Sequence, residues 1–145
     1  MKHESSKSLK RLNHLISEID AVYHDSSLRL GISDSVSKIL YTICNVGDRC
    51  LLSEICIQTG LSKQTVNSAL RKLEQEQIIF LTPVDGKAKN VCLTKKGQEL
   101  ANRTALRLIS IENDILDSWD EAEVQSYLDL TEKFLRDLKG KVMEL

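Results

Sequence analysis

The chain has 145 residues, 41% of them hydrophobic and 28% charged, which is ordinary for one folded domain with a core of its own. One proline, six glycines and 4% aromatic residues leave little room for loops and make aliphatic side chains carry the packing, so helices are favoured. The formal net charge of −1 excludes a uniformly basic nucleic-acid binder, and makes the placement of charge more informative than its sum.

Residues 1–8 are polar and are expected to fray. Leu9, Leu12, Ile16, Ile19 and Tyr23 then recur at three and four residues, the period of a long amphipathic helix. Gly31 is a C-terminal stop and Ser33 an N-cap for the next helix, whose inner face is Val36, Ile39, Leu40 and Ile43. Residues 45–48 form the turn that follows. Ser53 is expected to cap a short helix with Ile55, Cys56 and Thr59 inward, and Gly60 allows a left-handed turn with Leu61 tucked beneath it. Ser62 caps a second helix, on which Val66, Leu70 and Leu73 form one narrow apolar stripe.

The opposite face of that second helix carries Ser62, Lys63, Gln64, Thr65, Asn67, Ser68, Arg71 and Lys72. These side chains suit phosphates and base edges: Gln and Asn match adenine, Lys and Arg match guanine, and a capped helix N-terminus offers free N–H groups to phosphate. A strand over residues 78–81, a polar loop over residues 85–89 and a return strand with Val91 and Leu93 inward make a hairpin that brings Lys87 and Lys89 to a DNA backbone. Helix, turn, helix and hairpin together are a winged helix-turn-helix. Between Leu61 and Gly97 seven lysines and arginines face three acids, a net +4, which leaves −5 for the remainder. A basic reading head on an acidic body docks in one orientation, because the rest of the surface repels phosphate.

Thr94, Lys95 and Gly97 open a helix expected to run unbroken through Leu100, Ala101, Ala105, Leu108, Ile111 and Ile115. Ser118 with Glu121 forms a candidate capping box for the last helix, where Val124, Leu128, Thr131, Leu135, Leu138 and Val142 repeat at four and three residues, a heptad-like seam. Amphipathic helices at both ends of a chain whose middle is already a complete module need something to bury against. The expected organisation is an N-terminal dimerisation helix (residues 1–32), a winged helix-turn-helix (residues 33–97) and C-terminal dimerisation helices (residues 98–145), the two ends joining two subunits. The expected fold class is mainly α, with a small β-hairpin wing and a helical dimerisation region.

Thr59-Gly60-Leu61-Ser62, Thr65-Val66 through Leu73-Glu74, and Leu93-Thr94-Lys95-Lys96-Gly97 stand in the order in which the MarR family of winged-helix transcriptional regulators places its turn, recognition helix and wing end. The chain resembles that family over nearly its whole length. It departs from it at the wing, where Asp85-Gly86-Lys87 aligns with the usual Asp-Arg-Arg, and at Gln77, where a glycine is usual. The resemblance implies a homodimeric, DNA-binding regulator, in the main a repressor, on a pseudo-palindromic operator with half-sites about 34 Å apart or a multiple of that. It also implies release by a small amphipathic or phenolic effector in a cleft between dimer helices and winged helix, which Tyr23, Leu28, Tyr41, Ile43 and Trp119 could approach, although each is equally well explained as core.

Cys44, Cys50, Cys56 and Cys92 make neither a C-x-x-C pair nor a secretory framework, and no apolar run suggests a signal peptide or a membrane span, so a cytoplasmic chain is expected. Small apolar filler is the default role for all four thiols. The sharper alternative is a redox-responsive regulator using Cys50 or a neighbouring cysteine, Cys50 lying between Cys44 and Cys56 at six-residue steps and next to Arg49. His3, His14 and His24 have no i, i+4 pairing, so neither a metal site nor a cofactor is expected. No nucleophile elbow, P-loop, dinucleotide fingerprint or HExxH is present, and no enzyme is expected. A winged-helix dimer that binds another protein in place of DNA is the remaining alternative.

Overall fold

The computed structural model describes residues 4–145. Its elements are α1 (Lys7–Leu30), α2 (Asp34–Val46), β1 (Arg49–Leu51), α3 (Leu52–Thr59), α4 (Lys63–Gln75), β2 (Ile79–Pro83), β3 (Lys89–Leu93), α5 (Lys95–Arg103), α6 (Ala105–Asp117) and α7 (Glu121–Val142). They fall into two compact units, one ending at Leu108 and the other spanning Ile109–Leu145. Of the expected frayed start, residues 1–3 lie outside the described part, while Ser6 already caps α1 by accepting from the Leu9 N–H at 3.1 Å.

The first unit is built around α2 and α4. Ile39, Leu40 and Ile43 of α2 and Val66, Leu70 and Leu73 of α4 are buried as their spacing requires, and Ile55, Ile79 and Val91 close the core from α3 and the sheet. Gly31 ends α1 in the left-handed conformation (φ 73°), and the Ser33 hydroxyl accepts from the Val36 N–H at 3.2 Å, so both of these boundaries match their sequence signals. His24 Nδ1 and Asp34 Oδ2, 2.7 Å apart, tie α1 to the start of α2, and hydrogen bonds from His24 and then Ser27 hold the Asp34 carboxyl below its usual range.

Several boundaries depart from expectation. The hairpin is part of a three-stranded antiparallel sheet of order β1-β3-β2, in which Cys50 pairs with Val91 and Leu81 with Val91 from the other side. A three-residue strand such as β1 leaves no periodic signal. Its pairing also fixes where α3 starts: Leu51 takes the cap position without a side-chain hydrogen bond, and Ser53 lies inside the first turn and does not cap it. The strand expected over residues 78–81 is β2, shifted to Ile79–Pro83, and Lys89 belongs to β3, opposite Pro83. The helix expected to run through Ile115 is broken at Thr104 (φ −124°, ψ −89°). This buried residue donates its hydroxyl to the Leu100 carbonyl at 2.7 Å, a back-bond that bends helices. The capping box of α7 is Asp120 with Glu123, whose Oε1 accepts from the Asp120 N–H at 3.0 Å, whereas Ser118 donates to the Ile115 carbonyl of the preceding helix.

Gln77 is the described non-glycine residue with positive φ (61°), at the end of α4, where the Ile78 N–H donates to the Leu73 carbonyl and the Gln77 N–H to that of Glu74. A left-handed residue with a Cβ costs about 1–2 kcal/mol. Gln77→Gly is therefore expected to raise stability by about 1 kcal/mol in urea unfolding, since the greater freedom of glycine in the unfolded chain takes back part of the gain. An unchanged or lowered midpoint would show that the Gln77 side chain itself contributes.

Candidate nucleic-acid interface

Helix α4 is presented by a tightly bonded turn. Gly60 is left-handed (φ 67°), and the Thr59 hydroxyl donates to the Ile55 carbonyl at 2.7 Å and accepts from the Leu61 N–H at 3.2 Å. Ser62 then caps α4: its hydroxyl oxygen accepts from the Thr65 N–H at 3.1 Å and its proton goes to the Thr65 hydroxyl at 2.8 Å. With this end satisfied and Val66, Ala69, Leu70 and Leu73 buried, the helix is held from one side and offers the other.

At about 100° per residue the offered surface divides into three. Opposite the apolar stripe lie Gln64, Ser68 and Arg71. Lys63 and Asn67 occupy one flank, Thr65 and Lys72 the other. Asn67 is half-buried, and Ser62, Lys63, Gln64, Thr65, Ser68, Arg71 and Lys72 are exposed. At the hairpin, Gly86 (φ 54°) turns a short loop in which the Ala88 N–H donates to the Asp85 carbonyl at 2.9 Å, with Lys87 and Lys89 exposed beside it. Among the described residues none of the five cations Lys63, Arg71, Lys72, Lys87 and Lys89 forms an ion pair. Lys96, in the same basic stretch, is committed elsewhere, donating from Nζ to the Glu76 carbonyl at the end of α4 at 3.0 Å.

The cysteines divide differently from expectation. Cys50 and Cys92 are buried, whereas Cys44 and Cys56 are only partly so. Burial, and after it the charge of Glu54, push the Cys50 thiol up, and burial does the same at Cys44. A reactive cysteine needs exposure and positive surroundings; Cys50 has neither, and Arg49 pairs with Asp48 at 3.3 Å, so the setting of Cys50 itself does not favour a redox role. Of the histidines, His14 pairs with Glu18 and His24 with Asp34, while His3 lies outside the described residues; no metal-binding group of His, Cys, Asp or Glu occurs among the described residues. Ile43 is fully buried and Tyr41 partly, whereas Tyr23, Leu28 and Trp119 are exposed. No described helix is long and apolar enough to cross a membrane.

A polar helix presented by a capped turn, beside a basic two-stranded hairpin on a small sheet, defines a winged helix-turn-helix protein. Residues 30–89 match the model of the MarR family. No curated protein matches the chain. Among solved structures, the fold is similar to AbsC, a MarR family transcriptional regulator from Streptomyces coelicolor, at TM-score 0.73 and 15% identity over 96% of this chain and 99% of that one. It is similar to MepR of S. aureus, solved as a complex with DNA, at TM-score 0.67 and 20% identity over 93% and 99% of the two chains. It is also similar to BpsR of Bordetella bronchiseptica, whose DNA binding is regulated by 6-hydroxynicotinic acid, at TM-score 0.63 and 17% identity over 86% and 98%. The match to the MarR family model spans residues 30–89, and the fold of the chain is that of the solved MarR family regulators.

Proposed function

We propose that this chain is a sequence-specific repressor that binds duplex DNA as a homodimer, with residues 62–72 in the major groove and Lys87 and Lys89 on the backbone or in the minor groove. The observation that carries this reading is the exposed, cation-bearing face of α4, held by a capped turn on a core that leaves it nothing else to do. Gln64 and Arg71, furthest from the core, read bases, while Lys72, Lys87 and Lys89 neutralise phosphates. Repression is by occupancy: a bound dimer excludes polymerase from overlapping promoter sequence.

Two copies are needed because the second unit has little core of its own. Helix α7 buries no residue at all, and its heptad leucines are about half exposed (Leu128 52%, Leu135 50%, Leu138 48%). A second copy supplies an identical seam, and two-fold pairing of the chain's ends (residues 1–32 and 98–145) carries two winged modules (residues 33–97) to a pseudo-palindromic operator. A small amphipathic or phenolic effector releases the protein by favouring one spacing of the two heads, since a ligand indifferent to spacing shifts nothing. The control of BpsR by 6-hydroxynicotinic acid supports this mode for such a fold.

Fluorescence anisotropy against duplex tiles from the promoter of its own gene, with shuffled duplex as control, tests the reading. One tile is expected to bind far more tightly than shuffled DNA, with affinity falling steeply in salt. Arg71→Ala is expected to weaken that tile by about 1–3 kcal/mol while leaving shuffled DNA nearly unchanged, and Lys89→Ala to weaken both alike and flatten the salt slope by about one unit. Equal losses on both duplexes would remove Arg71 from base reading. An absence of duplex binding at low salt would favour a protein partner for the same face.

A further inference from the structure

The C-terminal end of α4 is held by one short segment of chain. Three consecutive carbonyls there, those of Glu76, Gln77 and Ile78, all accept from residues at the start of α5. The Lys96 ammonium donates from Nζ to the Glu76 carbonyl at 3.0 Å, the Thr94 hydroxyl to that of Gln77 at 2.6 Å, and the Thr94 N–H to that of Ile78 at 3.0 Å. Gln77 has positive φ (61°), so the middle carbonyl belongs to a residue whose backbone conformation is costly and has to be held. Lys96 is the unexpected member. It stands in the first turn of α5, a turn without an acidic residue, where the helix dipole disfavours a cation. At the end of α4 the same effect favours one. The ammonium therefore acts against its own helix and for its neighbour. Among the described residues neither Lys96 nor the adjacent Lys95 forms an ion pair, so the bond to the Glu76 carbonyl is what fixes the Lys96 side chain.

We propose that Lys96 is a positioning residue for DNA reading: it latches the end of α4 to α5 and so sets the tilt at which Gln64 and Arg71 enter the groove, without touching DNA itself. The proposal rests on the DNA-binding reading and deepens it. The apolar stripe of α4 holds the helix down on the core, but burial has no direction and permits a small tilt. Hydrogen bonds are directional, and α4 has them at both ends: the Ser62 cap at the start and the Thr94–Lys96 latch at the finish. Arg71 lies in the last two turns, so a slackened C-terminal end displaces it directly. Base contacts tolerate little displacement, whereas attraction to phosphate tolerates more, so a loosened α4 loses operator preference before it loses general affinity for DNA. Because α5 leads in the chain to α6 and α7, the latch also makes the recognition helix answer to whatever holds those helices in the proposed dimer.

Three substitutions separate this role from its alternatives. Lys96→Met keeps the aliphatic stem and removes the donor, Lys96→Arg keeps a cation with donors, and Lys95→Met removes the same charge one residue away. Taking a cation from the start of α5 offsets the loss of one exposed bond, so the thermal midpoint of Lys96→Met is expected to change little. In anisotropy titrations Lys96→Met is expected to lower the operator-to-shuffled ratio about fivefold with the salt slope unchanged, Lys96→Arg to restore the ratio, and Lys95→Met to keep it. Amide hydrogen exchange at Gln77 and Ile78 in the DNA-free protein is expected to quicken in Lys96→Met and not in Lys95→Met. Equal losses on both duplexes, with the salt slope lower by about one unit, would make Lys96 a phosphate ligand and overturn the proposal. A ratio within about twofold of the parent, or an equal fall in Lys95→Met, would also overturn it, the second by tracing the effect to charge alone. In each of these cases a loss of operator preference in Arg71→Ala leaves the regulator reading standing. If the parent binds no duplex, both readings fall together.

Discussion

Gly97→Ala is expected to destabilise the winged module by about 3 kcal/mol, a large share of a domain's total stability. A Cβ on Gly97 would lie 2.0 Å from the carbonyl oxygen of Ile78 and 3.0 Å from its carbon, with Leu93 Cδ2 at 3.3 Å. The obstacle is backbone, and this backbone is pinned. The Ile78 carbonyl accepts from the Thr94 N–H at 3.0 Å and from the Thr94 hydroxyl at 3.1 Å, and the same hydroxyl reaches the Gln77 carbonyl at 2.6 Å and accepts from the Gly97 N–H at 2.9 Å. Four residues therefore tie the end of α4, the start of β2 and the start of α5 into one knot. A methyl group inside it must push α5 away from β2 and tilt the hairpin relative to α4, so DNA affinity falls along with stability. Gly140→Ala is the internal control. Gly140 lies within α7 with open space around its Cβ position, and the helix propensity of alanine is expected to raise stability by up to about 1 kcal/mol. Urea unfolding at one fixed protein concentration reads both, and a loss below 1 kcal/mol for Gly97→Ala would show that β2 can move aside.

What the sequence made legible is what is encoded locally. The Val66, Leu70 and Leu73 stripe, the Ser62 cap and the left-handed Gly60 are decided within a few residues of one another, and all stand as read. The polar face of α4 followed from the same period, which places Arg71 outward once Leu70 and Leu73 point inward. The misread features have other causes, one distant in the chain and two local but ambiguous. Strand β1 exists because Cys50 meets Val91 across 41 positions, and this pairing moved the start of α3 off Ser53. The break at Thr104 arises where the apolar period continues without interruption, so periodicity alone ran straight through it. The Asp120–Glu123 box was missed because Ser118-x-x-Glu121 and Asp120-x-x-Glu123 are both valid signatures, and only the preceding helix, by taking the Ser118 hydroxyl, decides between them.

Leu135→Glu is expected to convert the proposed dimer to a monomer at micromolar concentration, the largest effect among these substitutions. In a two-fold assembly each change counts twice: two leucines lose about 1.5–3 kcal/mol each of burial, and two carboxylates must either enter an apolar seam or hold it open. The sum, about 5 kcal/mol or more, is enough to carry a nanomolar dissociation constant into the micromolar range or beyond. The single chain does not lose its own core, because Leu135 is half exposed in it and α7 buries nothing. A folded monomer with native helical content is therefore the expected product. Lys133→Glu, on the opposite side of the same helix, adds the same charge off the seam and should leave the dimer intact. Sedimentation velocity reads the mass, and a parent protein that sediments as a monomer would remove the second copy from the proposal. The consequence for DNA follows from linkage: two heads on one body bind the second half-site at a high effective concentration, so a monomer should retain only single-head affinity. In Leu135→Glu the operator-to-shuffled ratio should fall much further than any loss on a half-site duplex. Equal losses on full and half operators would mean that the seam supports each head separately and does not join two of them.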